Sequence, residues 1–293
     1  MILDFVKTTF EITRKCLPAA LCAFFLSLSA YAQVQFHAVD RSLVETRLKS
    51  YVPNNADRAA GIKKFFSDSG CKNLTEQAVP KLPPNVICIL PGQSDQIIIV
   101  GAHTDKVAEA GEGVVDNWSG ASLLSSLYES VNSEPRRHTY MFIGFTGEEK
   151  GLLGSKYYVE HLTPAQRAKI VAMVNMDTLG VSPTKVWATH ADQSLLTALD
   201  QAAGGMKLPL AEVDVDKLGD ADSESFASAH IPRITIHSIT QETWPILHSD
   251  RDRLSAVKMD DYYNSYLLIA GYLAYLDTYL SSASPTAHTT TAH

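Results

Sequence analysis

The chain is poor in cysteine: four in all, and only Cys71 and Cys88 lie beyond the first 32 residues. No second Cys or His pair stands at finger-like spacing, which argues against a structural zinc knot. There is no excess of positive charge. The formal net charge is −7, so non-specific binding to nucleic acid is not expected. Beyond the N-terminus no long apolar run occurs. The longest, residues 267–276, is interrupted by Gly271, Tyr272 and Tyr275. A bilayer span needs about 20 apolar residues, so this segment is expected to pack as a helix within the protein. No internal repeat is visible.

What the N-terminus holds is equally specific. Lys7, Arg14 and Lys15 precede an apolar run, residues 17–29, which ends at Ala30-Tyr31-Ala32. Basic flank, short apolar stretch and small-x-small site together read as a secretory signal peptide, with an N-terminal membrane anchor as the alternative, against which the run is shorter than the about 20 apolar residues of a bilayer span. Residues 1–32 are expected to be removed, leaving Gln33 first in a secreted or periplasmic protein. In an oxidising compartment two cysteines usually pair. A Cys71–Cys88 disulfide is therefore expected, with two free buried thiols as the alternative.

The body of the chain alternates between strand-like and helix-like segments. Residues 56–69 are amphipathic and stop at Gly70. Residues 85–90 read as a strand, and a turn at 91–96 leads into the apolar run 97–102. A helix at 119–131 follows. Further elements fall at 140–145, 155–161, 171–175, 194–203, 223–229 and 233–238. This order predicts an α/β fold with a mixed, largely parallel central sheet. Asp260 reads as the cap of a last helix over 261–280. Residues 281–293 are Ser, Thr, Ala, Pro and His without periodicity and read as a disordered tail. Residues 33–280 are expected to form one domain.

Acidic and histidine side chains follow three of these strands. His103 and Asp105 come after 97–102, Glu148 and Glu149 after 140–145, and Asp177 after 171–175. Asp116 and His248 lie in loops. Ligands bind at the carboxyl ends of strands in open α/β sheets. Imidazole and carboxylate suit zinc. A metal pair also needs a carboxylate that stays free to move protons, and adjacent Glu148 and Glu149 offer one ligand and one base.

The runs that carry these residues are Gly101-Ala-His-Thr-Asp-Lys-Val, Val115-Asp-Asn-Trp-Ser-Gly, Gly147-Glu-Glu-Lys-Gly-Leu-Leu-Gly-Ser-Lys-Tyr-Tyr, Val174-Asn-Met-Asp-Thr-Leu-Gly and His248-Ser-Asp-Arg-Asp. Together they resemble the co-catalytic zinc aminopeptidases, a family that includes bacterial leucyl aminopeptidase, aminopeptidase Y and the glutaminyl cyclases. The resemblance implies a three-layer α/β/α fold and two Zn2+ per chain. It implies that Asp116 bridges both ions, that His103 and Asp177 complete one site, and that Glu149 and His248 complete the other. Glu148 would be the general base and then the acid. Asp105 would orient the His103 ring, Asp222 would stand beside the site, and Asp252 would fix the loop of the last ligand. The implied substrates are peptides with a free N-terminus.

Trp118 stands where the family commonly has a small residue, and it is expected to reshape the substrate pocket. Ala221 and Ser223 replace the usual flanks of the aspartate at 222, and His230 replaces a glycine. None of these removes a ligand. The remaining histidines, among them His138, His190 and His237, read as structural or solvated. Two other activities stay open on the same resemblance: a glutaminyl cyclase, for which Trp rather than Leu247 is expected before the last ligand, and a carboxypeptidase.

Overall fold

The computed structural model describes residues 36–107, 111–217 and 219–283. Residues 1–35, which include the expected signal peptide, and residues 284–293 of the tail lie outside the described residues. In chain order the elements are α1 (Arg41–Lys49), α2 (Asn55–Asp68), β1 (Asn73–Gln77), β2 (Asn85–Leu90), β3 (Ile97–His103), α3 (Ser119–Asn132), β4 (Thr139–Phe145), α4 (Leu153–Glu160), α5 (Pro164–Arg167), β5 (Ile170–Met176), β6 (Lys185–Val186), α6 (Gln193–Met206), β7 (Ala211–Glu212), α7 (Ser223–Ala227), β8 (Arg233–His237) and α8 (Met259–Ala283).

The eight strands form one mixed sheet in the order β1-β2-β4-β3-β5-β8-β6-β7. The middle four, β4-β3-β5-β8, run parallel. β2 joins β4 antiparallel at one side and β6 joins β8 antiparallel at the other. All four parallel strands therefore end on the same edge, where the predicted site residues cluster.

Both faces of the central strands are buried, which is why β3 reads as an uninterrupted apolar run rather than an alternating one. Ile98, Val100 and Ala102 face one core, with α2, α3, α6 and α8. Ile99 faces a smaller core made with Phe145, Met173, Tyr158 and Phe226, under α4 and α7. The three layers are thus uneven, and each large side chain in them contributes roughly 1.5–3 kcal/mol on burial.

Local signals explain the helix ends. The Asn54 side chain accepts from Ala56 N and caps α2, and Gly70 beyond its end takes φ +80°. Thr163 and Gln166 form a capping box on α5. Most element ends differ from the sequence reading by one to three residues, and the last helix differs at both ends. α8 begins at Met259 and runs to Ala283, so residues 281–283 are helical rather than tail. Three of its tyrosines, Tyr262, Tyr266 and Tyr272, are buried with their hydroxyls partnered: Tyr262 donates to Ser119 O at 2.9 Å, Tyr266 accepts from Val39 N at 2.6 Å and Tyr272 donates to Leu195 O at 3.1 Å. Among the described residues no helix is long and apolar enough to cross a membrane. The Cys71–Cys88 disulfide is formed and ties the segment after α2 to β2.

Candidate metal centre and substrate cavity

His103 is the last residue of β3 and is 2% exposed. Its Nδ1 lies 3.1 Å from the backbone oxygen of Asp105. A carbonyl only accepts, so Nδ1 carries the hydrogen and Nε2 is left for another partner. That Nε2 lies 3.1 Å from Asp116 Oδ1 and 3.5 Å from Asp177 Oδ1.

Asp116 sits in a tight turn, Val114–Trp118, between β3 and α3. Three contacts hold the turn. The Asp252 carboxylate accepts from Val115 N at 2.7 Å and Asp116 N at 3.2 Å. Asn117 accepts from Gly120 N and Thr178 N, and donates to Met176 O. The buried Arg58 donates to Gly113 O. The outcome is that one carboxylate faces two imidazoles: Asp116 Oδ1 toward His103, and Oδ2 toward His248 Nε2 at 3.2 Å.

Glu148 and Glu149 follow β4. Gly147 takes φ +69°, which turns the chain into a one-turn helix, Glu148–Lys150. Glu149 Oε2 lies 3.2 Å from His248 Nε2, while its Oε1 is buried without a hydrogen bond. Asp177 follows β5, anchored by its own N–H to Ile236 O at 3.0 Å. His248 stands on a loop residue with φ +52°, and its side chain is 53% exposed.

The five predicted ligands and Glu148 therefore meet in one place. Two overlapping donor groups emerge, His103–Asp116–Glu149 and His103–Glu148–Asp177, each with ligand atoms within 4.8 Å of one another. The donor chemistry fits a divalent metal: imidazole nitrogens fixed from behind, carboxylates, and orphaned buried oxygens on Glu149 and Asp177. Positive charge is needed here. Burial works against a charged His103, yet Glu148, Asp177 and the contacts to Asp105 and Asp116 carry its pKa well above the ordinary value. Hydrogen bonds to Asp116 and Glu149 push His248 up to about 10. Burial works against an ionised Asp116, but the two imidazoles hold it far below the usual carboxylate range. Burial raises Glu148 well above that range, opposed by His103 and reinforced by Asp177, Asp222 and Asp116. It raises Glu149 and Asp177 as well.

The residues behind the ligands differ in detail from the sequence reading. Asp105 reaches His103 through its backbone oxygen, since its carboxylate Oδ1 is 3.8 Å from Nδ1. That carboxylate instead accepts from Glu148 N at 3.1 Å and fixes the base in place. Asp222 makes no cap to α7. Both its oxygens are buried without a partner, because the nearby Ser155 hydroxyl is engaged with Leu152 O and Ser225 Oγ. Burial lifts Asp222 to about 7. Asp252 belongs to the loop of His248 as expected, but what it grips is the Asp116 turn.

The donors open onto a cavity of about 380 Å³. Its other walls include Trp187, Val215, Ile239, Trp244 and Leu247. The expectation for Trp118 fails. Its indole is fully buried on the core side, donating Nε1–H to Arg47 O and lying 5.2 Å from the Arg58 guanidinium, so it does not line the cavity. The small Gly61 leaves room for it.

Comparison with known proteins agrees with this architecture. Leupeptin-inactivating enzyme 1 of Streptomyces exfoliatus is 31% identical over 153 residues, which are 50% of this chain and 34% of that protein. The chain thus matches about a third of that relative's length. The solved zinc aminopeptidase BSAP from Bacillus subtilis superposes with TM-score 0.60 at 24% identity, over 65% of this chain and 49% of that one. A glutaminyl cyclase from an Acidobacteriales bacterium superposes with TM-score 0.69 at 17% identity, over 85% and 98%. At such identities the superpositions speak for the fold. Residues 85–273, well over half of the sequence, match peptidase family M28, and the chain belongs to that family.

Proposed function

We propose that the protein is a secreted zinc aminopeptidase that removes N-terminal residues from peptides and holds two zinc ions per chain. The observation that carries this reading is the single Asp116 carboxylate set between His103 and His248, one oxygen toward each. His103 and Asp177 would hold one ion with Asp116, and Glu149 and His248 the other. Zinc held there would supply Lewis acidity toward an amide carbonyl and toward water. Glu148, whose backbone is pinned by Asp105, takes up a proton at its carboxylate and returns it to the departing amine. Burial raises the Glu148 carboxyl above the ordinary carboxylate range, which favours its holding a proton between the two transfers. The wall formed by Trp187, Val215, Ile239, Trp244 and Leu247 suits an uncharged side chain. The names of the related proteins, a leupeptin-inactivating enzyme and a zinc aminopeptidase, support the same reading.

A second reading is a glutaminyl cyclase, favoured by the overlap with the cyclase structure along 98% of that chain. Leu247 before His248 speaks against it. The experiment is direct. Zinc-loaded protein is incubated with Leu-p-nitroanilide, an N-acetylated copy, and a peptide that begins with glutamine. Release from the free-amine substrate alone, with about two zinc per chain by elemental analysis, is expected. Ammonia release with pyroglutamate formation and one zinc overturns the reading in favour of the cyclase.

A further inference from the structure

His237 is the last residue of β8, is 2% exposed and lines the cavity. It belongs to neither metal-donor group. Both of its ring nitrogens are taken by backbone. Nε2 lies 2.9 Å from Val213 O, and Nδ1 accepts from Ile239 N at 3.1 Å. A carbonyl only accepts and an amide N–H only donates. The two contacts are therefore satisfied together in one form alone, the neutral ring with its hydrogen on Nε2. Burial pushes the imidazole down to about 4, in keeping with that form. With both nitrogens occupied, the ring has only carbon to offer the cavity.

The two backbone groups belong to different parts of the cavity wall. Val213 follows the two-residue β7, and its N–H donates to Val186 O of β6 at 3.0 Å. No strand follows before α7 among the described residues, and Val215 lines the cavity two residues on. Asp214 and Asp216 also hold this segment, by accepting from Thr189 and Trp187, but both are exposed. Water competes for those contacts more than for one to a buried ring. Ile239 is buried and lines the cavity as well. It opens the loop that runs through Trp244 and Leu247 to His248. One side chain thus joins two wall segments that are distant in the sequence.

We infer that His237 is a positioning residue for the substrate cavity: its Nε2–H holds Val213, and with it Val215, against the end of β8, while its Nδ1 turns the chain at Ile239 into the loop that leads to His248. The consequence for peptide affinity rests on the aminopeptidase reading. The tie between the two wall segments does not.

Two substitutions separate the two contacts. In His237→Gln the amide nitrogen reaches the place of Nε2 and can donate to Val213 O, but nothing stands at Nδ1. In His237→Asn the amide oxygen reaches the place of Nδ1 and can accept from Ile239 N, but Val213 O is out of reach. Amide hydrogen exchange of the zinc-loaded full chain reads the wall directly. Relative to the native protein, residues 211–217 should exchange about 3–10-fold faster in His237→Asn, the scale of one neutral hydrogen bond, and near the native rate in His237→Gln. Residues 238–243 should show the reverse. For Leu-p-nitroanilide, KM should rise about 3–10-fold in His237→Asn with kcat near native, and less in His237→Gln. His237→Phe keeps a ring of similar size without either contact, so it should speed exchange in both segments. Native exchange in His237→Phe overturns the inference, because the ring would then act by packing alone. Equal exchange of 211–217 in the Asn and Gln variants overturns it too, as does a fall in kcat with KM unchanged. If the native protein hydrolyses no peptide, the aminopeptidase reading fails, and the exchange pattern alone decides the role of His237.

Discussion

The two halves of the proposed metal centre are built differently. His103 and Asp177 stand at the ends of adjacent parallel strands, β3 and β5, with His103 almost wholly buried. Glu149 and His248 stand on a one-turn helix and an irregular loop, and half of the His248 side chain is exposed. The sheet fixes the first pair before any ion arrives. The second pair depends on where a loop settles. A site on rigid elements binds with less reorganisation than one on loops, so the halves should differ in affinity although their donors are chemically alike.

Substitutions test this comparison, and the largest effect should come from the residue common to both halves. Asp116→Ala should lose both zinc ions, read by elemental analysis after desalting; retention of one would assign the carboxylate to a single half. Glu148→Gln should keep both ions and lose about 10²–10⁴ in kcat, the usual scale for a general acid–base group. Loss of metal along with activity would mean that Glu148 ligates, as the second donor group allows. His248→Ala should lose one ion and keep the other, whereas His103→Ala should lose the tighter one. Dialysis against buffered free zinc should accordingly show two release steps in the native protein, with the first abolished by His248→Ala.

Effects remote from the centre are smaller. The double change Cys71→Ser and Cys88→Ser opens a loop with a sequence separation of 17. It should cost about 3 kcal/mol in denaturant unfolding and leave zinc content unchanged. A contrast between two histidines of the cavity gives the last test. His248 is pushed up to about 10 by its carboxylates, whereas burial pushes His237 down to about 4. A histidine with a lowered folded pKa stays neutral in the fold while the unfolded chain takes up protons. The stability it preserves is present above the unfolded value of about 6.5 and is lost as pH falls toward 4. Metal-free protein should lose roughly 2 kcal/mol from this group between pH 7 and pH 5. His237→Gln should have the shallower pH dependence.

The centre was legible because its donors lie in short motifs directly after strands whose apolar runs are unmistakable. β2 and the cores of β3, β4, β5 and β8 were readable for the same reason. α1 was not, because its nine residues carry Arg, Glu and Lys around only two apolar contacts, Val44 and Leu48. β1 has no buried residue, and β6 and β7 are two residues each, too short for a period. Trp118 was placed in the wrong compartment: large size next to a ligand suggested the pocket, but the turn sends its side chain into the core against α1 and α2. Arg58 carried no signal, since a lone arginine in an amphipathic helix reads as solvated, yet it is fully buried and burial lowers it to about 10. The roles of Asp105 and Asp252 could be carried over as neighbours of ligands. Which backbone groups they hold depends on loop geometry that no local pattern encodes.

The grip of Asp252 on the Asp116 turn also bears on when the protein becomes competent. A chain made from its N-terminus presents His103, Asp116, Glu149 and Asp177 well before residues 248–252 emerge. Until the last loop docks, the turn at 115–116 lacks the acceptor for two of its N–H groups and the second half of the centre lacks its imidazole. Completion of the proposed centre is therefore tied to completion of the fold, and on the aminopeptidase reading a nascent or truncated chain stays inert toward peptides around it.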